Sequence, residues 1–125
     1  MSYFLVFLGG GIGSLCRYGL SLALPPSSPT AFPWGTFWAN LIACLFLGLA
    51  LGWIIKQADG SNMALNAKWL IATGFCGGFS TFSTFSNESL VLMKNQQWTT
   101  LLLYVGLSLI LGLLSVLAGW KIMGH

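Results

Sequence analysis

The run Gly74-Phe75-Cys76-Gly77-Gly78-Phe79-Ser80-Thr81-Phe82-Ser83-Thr84-Phe85-Ser86 concentrates the groups from which this chain could build a polar site. It starts apolar, loses its side chains at Gly77 and Gly78, then sets Phe79, Phe82 and Phe85 three residues apart among hydroxyls. Hydroxyls donate and accept without carrying charge, and phenylalanine ring edges are partially positive, so Phe82 and Phe85 could meet a small anion edge-on. A cation over a ring face is the opposite arrangement, and periodicity alone leaves both open. Elsewhere Asn40 offers an amide, and Tyr104 with Ser108, four apart, put two more hydroxyls on one helix face. Uncharged donors and acceptors of this kind can replace an ion's hydration shell without holding the ion so hard that it stays.

Catalytic sets are missing from the same inventory. The only histidine is His125 and the only acids are Asp59 and Glu88, so neither a nucleophile–base–acid arrangement nor a carboxylate pair can be assembled. Gly9-Gly10-Gly11-Ile12-Gly13 lacks the preceding strand that a dinucleotide site requires. Cys16, Cys44 and Cys76 fall in three different apolar segments without CxxC spacing, which reads as reduced, packed thiols. Asn87-Glu88-Ser89 matches a glycosylation sequon only by chance, since it lies at the end of an apolar span. The chain is not read as an enzyme.

The elements that must carry these groups follow from composition. Of 125 residues, 56% are hydrophobic and 6% charged, too few charges to clothe a water-soluble domain, so the solvent is a lipid bilayer. The basic residues Arg17, Lys56, Lys68, Lys94 and Lys121 are isolated, which gives no stripe for a nucleic acid and suits anchoring at helix ends. Four spans are expected, at about residues 3–24, 34–55, 68–92 and 99–122, within a single domain covering residues 1–125. The first has no basic segment before it and reads as a permanent helix rather than a cleaved leader.

Within the spans, small and polar residues recur every four positions. Gly9, Gly13, Arg17 and Ser21 form one such stripe, Thr36, Asn40, Cys44, Gly48 and Gly52 a second, and Tyr104, Ser108, Gly112, Ser115 and Gly119 a third. Small residues at this spacing let helices approach closely, which is the expected role of Gly112 and Gly119. Arg17 lies well inside a span and reads either as a functional charge or as a snorkelling or loop-tethering arginine. Asn40 reads either as a tie between helices or as a hydrogen-bond donor lining a pore. The third span is expected to break at Gly77 and Gly78, with Phe79, Phe82 and Phe85 close together on the helix that resumes. The proline-rich stretch 25–33, the polar stretch 56–67 and the turn 93–98 join the spans. Lys56, Lys68 and Lys121 face one side against Lys94 and Arg17 on the other, a charge bias weak enough for insertion in both orientations.

With those residues in view the chain resembles the small fluoride channel family, also called the camphor-resistance or fluoride exporter family. The resemblance runs over essentially the whole chain. It rests on Gly9-Gly10-Gly11-Ile12-Gly13-Ser14 leading to Arg17-Tyr18, on Gly35-Thr36 with Asn40 and Gly48, and on Gly74-Phe75-Cys76-Gly77-Gly78 running into Ser80-Thr81-Phe82-Ser83-Thr84-Phe85. Ser80 stands where the family more often has threonine, and Gly112 where some relatives have serine.

The resemblance implies an all-α homodimer of four-helix subunits inserted antiparallel in the bacterial inner membrane, with two narrow pores and passive export of fluoride. It implies a fluoride path along Phe82, Phe85, Asn40, Ser108, Tyr104, Ser83 and Thr81, with Arg17 and Glu88 near the pore entrances. It also implies a sodium ion on the two-fold axis, held by the backbone carbonyls of Gly77 and Ser80. No nucleic acid and no soluble protein partner is implied. Two rival readings remain at this stage: a proton-coupled exporter of organic cations, which lacks the intramembrane acid it needs, and a non-conducting assembly partner.

Overall fold

The computed structural model describes residues 1–57 and 60–124; Asp59 and His125, the acid and the histidine weighed above, lie outside the described residues. The described chain is all-α. Three long, strongly apolar helices, α1 (Ser2–Ala23), α2 (Trp34–Lys56) and α6 (Trp98–Gly124), have 22, 23 and 27 residues. At about 1.5 Å per residue each is long enough to cross a hydrocarbon core of roughly 30 Å. Between α2 and α6 lies a composite third rod. It runs through α3 (Asn62–Ala67), a π-helical stretch (Lys68–Phe75) and α4 (Cys76–Phe79), breaks, and resumes as α5 (Phe82–Lys94). The 13 residues of α5 cover only about 20 Å and do not span alone.

Local chemistry sets several of these boundaries. The third rod starts at Asn62, ahead of the expected residue 68, because the Ser61 hydroxyl caps it, accepting the Ala64 N–H at 3.2 Å. The larger correction concerns the break. It falls at Ser80 (φ −79°, ψ 157°) and Thr81 (φ −149°, ψ 118°), whereas Gly77 and Gly78 lie within helical α4. Thr81 favours this point because its hydroxyl accepts the Thr84 N–H at 3.2 Å and so caps α5. Gly78 is there for contact: a Cβ on it would run into the carbonyl of Gly10 on α1.

Moving the break separates the three phenylalanines. Phe79 stays on α4, buried among Ala39 and Ala43 of α2 and stacked on Phe75 at 5.5 Å, while Phe82 and Phe85, both on α5 beyond the break, pair at 6.1 Å between ring centroids. Phe79 is therefore a core residue, and only the other two rings belong together.

The small-residue stripes act as expected in most places. Gly9 and Gly13 of α1 bring it against the backbone of Leu70 and Phe75, and a Cβ on Gly119 of α6 would lie 2.5 Å from the Leu45 carbonyl oxygen on α2. Gly112 differs, since a Cβ there would meet only Cys44 Sγ, at an ordinary 3.6 Å. It is not closing the helices together. One core cluster holds Phe37, Leu41, Leu92, Leu101 and Tyr104, and a second holds Ala39, Ala43 and Phe79. The outward faces stay apolar, with Phe7 73% and Leu113 74% exposed, as surfaces matched to lipid or to another transmembrane helix must be.

Candidate functional site

A helix that stops inside a membrane leaves N–H and C=O groups without partners, and each must be satisfied by protein, water or an ion. At this break two neighbouring helices supply partners. Asn40 on α2 pairs with both backbone groups of Thr81: its Oδ1 accepts the Thr81 N–H at 2.8 Å, and its Nδ2 donates to the Thr81 carbonyl at 3.3 Å. From α1, Arg17 Nε donates to the Gly78 carbonyl at 3.2 Å. Arg17 is thus neither snorkelling nor tethering the proline loop; it holds the end of α4.

These bonds leave specific groups open. The Asn40 amide has two N–H donors and spends one on Thr81, so the second has no partner among the described residues. Had the helix run on, the Thr81 N–H would have bonded the Gly77 carbonyl; its turn toward Asn40 frees that oxygen. The two half-helices also meet with opposite polarity. The end of α4 presents partial negative charge, and the start of α5 partial positive charge, on either side of Ser80 and Thr81.

Around the break lies a cavity of about 230 Å³ lined by Asn40, Cys44, Ser80, Thr81, Phe82, Phe85, Ser108 and Leu109. Five of the seven residues on the implied fluoride path thus share one space, Asn40, Thr81, Phe82, Phe85 and Ser108, and Ser80 joins them. Among the described residues no carboxylate borders it. Phe82 is 80% exposed, an open ring at the mouth of this cavity. Ser83 is exposed beside it, its Oγ 3.4 Å from Thr81 Oγ1. Gly77 borders a second cavity of about 160 Å³ with Ala43, Cys44, Leu47, Ala72, Cys76 and Ser80. Cys44 and Ser80 are the wall between the two. All three cysteines are free thiols.

Tyr104 and Glu88 lie outside the main cavity. The Tyr104 ring is fully buried, 4.9 Å from Phe85 and 5.4 Å from Phe32 between centroids. It backs the Phe85 ring rather than lining the cavity. Glu88, one turn beyond Phe85, accepts the Thr36 hydroxyl at 2.5 Å and borders two further cavities beneath Pro26 and Pro33. This Thr36–Glu88 pair was not singled out in the sequence. The signal was present, because Thr36 is one turn from Asn40 on the stripe that faces the broken rod.

A family model described as CrcB-like protein, Camphor Resistance (CrcB), matches residues 4–120. The chain is 40% identical over 118 residues to the fluoride-specific ion channel FluC of Phocaeicola vulgatus, covering 94% of each chain. It is 40% identical over 116 residues to the FluC of Flavobacterium psychrophilum, covering 93% of this chain and 91% of that one. It is also 40% identical over 117 residues to the FluC of Bacteroides fragilis, covering 91% and 89%. With a match that runs from the first helix to the last, this chain belongs to the CrcB family.

Proposed function

We propose that this protein is a fluoride-selective channel of the bacterial inner membrane that lets fluoride leave the cytoplasm passively, and that residues 1–125 form one transmembrane channel domain. The observation that carries the reading is the cavity at the broken helix, walled by uncharged donors and two phenylalanine rings and, among the described residues, by no carboxylate. Fluoride is small and strongly hydrated, so a path for it must offer close donors in a bore too narrow for larger hydrated anions. The second Asn40 N–H, the Ser108 hydroxyl, the ring edges of Phe82 and Phe85 and the positive end of α5 are such donors. Thr81 orients the set: its backbone fixes the Asn40 amide while its hydroxyl starts α5. Ser83 extends the hydroxyl surface outward, and Tyr104 fixes the Phe85 ring from behind.

The antiparallel homodimer belongs to this proposal. A single chain leaves Phe82 and the Gly77 edge open, and an apolar partner surface of the same kind would close both. The donor set at that edge fits a sodium ion: the freed Gly77 carbonyl and the extended Ser80 are hard oxygen donors. Among the described residues no three His, Cys, Asp or Glu side chains gather, so a cation there would be held by backbone oxygens. A bound cation supplies positive potential beside the anion path. Glu88, beneath the 25–33 loop, suits an entrance position, whereas the bond from Arg17 to Gly78 supports work at the break itself.

The test is efflux from liposomes holding only the purified protein, with fluoride and chloride recorded in parallel. Rapid fluoride release without comparable chloride release is expected. Folded protein that releases no fluoride would overturn the proposal.

A further inference from the structure

Cys44 on α2 and Cys76 on α4 border the same small cavity, of about 160 Å³, whose other walls include Ala43, Ala72 and Gly77. Nothing in their spacing along the chain pairs them; the packing of α2 on α4 does, through Ala43 and Phe79 of one core cluster. The two thiols lie near enough for charge on one to act on the other. Cys76 is buried, while Cys44 is half-buried and also borders the larger cavity, which gives an ion a way in. The Cys44 sulfur is not wedged in place: its neighbour on α6 is Gly112, where even an added Cβ would lie 3.6 Å from Sγ. The third thiol, Cys16, is exposed on α1 and takes no part in this cavity.

Sulfur donors select soft metal ions, and the form that binds is the thiolate. Two thiolates in an apolar space carry two negative charges, a heavy cost unless the bound ion cancels them, and a divalent ion cancels them fully. Zinc needs four ligands, and among the described residues no third His, Cys, Asp or Glu side chain gathers with these two. A soft divalent ion content with two sulfurs in line needs no third ligand. We propose that Cys44 and Cys76 together form a site for such an ion, of the mercury(II) class, held as a two-thiolate bridge between α2 and α4. Binding makes two S–Hg bonds and releases the two thiol protons to water, with nothing oxidised or reduced. The carbonyl oxygens of Gly77 and Ser80 are hard donors and suit a different ion, so the site is separate from the one proposed for sodium. Neither thiol is needed by the fluoride path proposed above.

The experiment titrates the folded, purified protein in detergent with mercuric ion alone, in a Cys16→Ser chain so that the exposed thiol does not compete. The mass of the intact chain is recorded, together with the thiols left to react with a chromogenic disulfide after unfolding. One equivalent is expected to remove both thiols at once, to raise the mass of each chain by one mercury less two protons, and to survive washing with a monothiol. Cys44→Ser and Cys76→Ala, made in the same chain, are each expected to lose the ion in that wash, since one sulfur cannot hold it against a competing thiol. A need for two equivalents, thiols that stay reactive, or a mercury link between two chains overturns the proposal. The stoichiometry of the Cys16→Ser chain decides the matter even where a further variant fails to fold. Binding is read without any flux, so the channel reading stands or falls separately.

Discussion

The two halves of α2 carry the same four-residue spacing and do opposite things with it. In the first half, Thr36 and Asn40 reach out to Glu88 and Thr81 on the broken rod. In the second half, Gly48 and Gly52 withdraw, letting the backbone of α6 come so close that a Cβ on Gly52 would lie 2.8 Å from the Trp120 carbonyl oxygen. One half holds polar backbone in place through side chains; the other holds helices together by having none. Spacing by four therefore identifies a contact face without identifying the contact.

The contrast can be broken most severely at Asn40. Asn40→Leu removes both partners of the Thr81 backbone and the second N–H, leaving buried groups that cost about 1–3 kcal/mol each. Fluoride efflux is expected to fall by roughly 100-fold, a scale set by those same hydrogen bonds, with a clear drop in melting temperature. Flux near that of the parent would remove Asn40 from the path.

Gly48→Val tests the other half. Its side chain meets the Val116 backbone, which has no room to yield, so a destabilisation of about 1–3 kcal/mol is expected in denaturant or thermal melts. Flux per folded molecule is expected to survive, which separates packing from conduction. Thr36→Val is milder, deleting the bond to Glu88 at a stability cost of about 1–2 kcal/mol, read by melting. Gly112→Ala is the smallest change. Its Cβ fits beside Cys44, so replacing a mid-helix glycine is expected to stabilise by up to about 1 kcal/mol. A loss of stability as large as that of Gly48→Val would show that the two glycines work alike after all.

Two other residues show where local reading ends. Arg17 is unusual for its depth in an apolar span, but its partner, the Gly78 carbonyl, is 61 residues away. Phe79 shares the three-residue spacing of Phe82 and Phe85, yet the extended Ser80 and Thr81 turn it into the core on the other side of the break.

By itself, the sequence determined the four apolar segments, the interruption of the third and the inventory of uncharged donors. Those follow from composition and from how few charges a bilayer tolerates. Only the tertiary structure decided that the chain breaks at Ser80 rather than at the glycine pair. The reason is physical: glycine permits a break, but Gly78 is held helical by close approach to Gly10, while the Asn40 amide and the Thr81 cap make the next two residues the cheapest place to leave the helix.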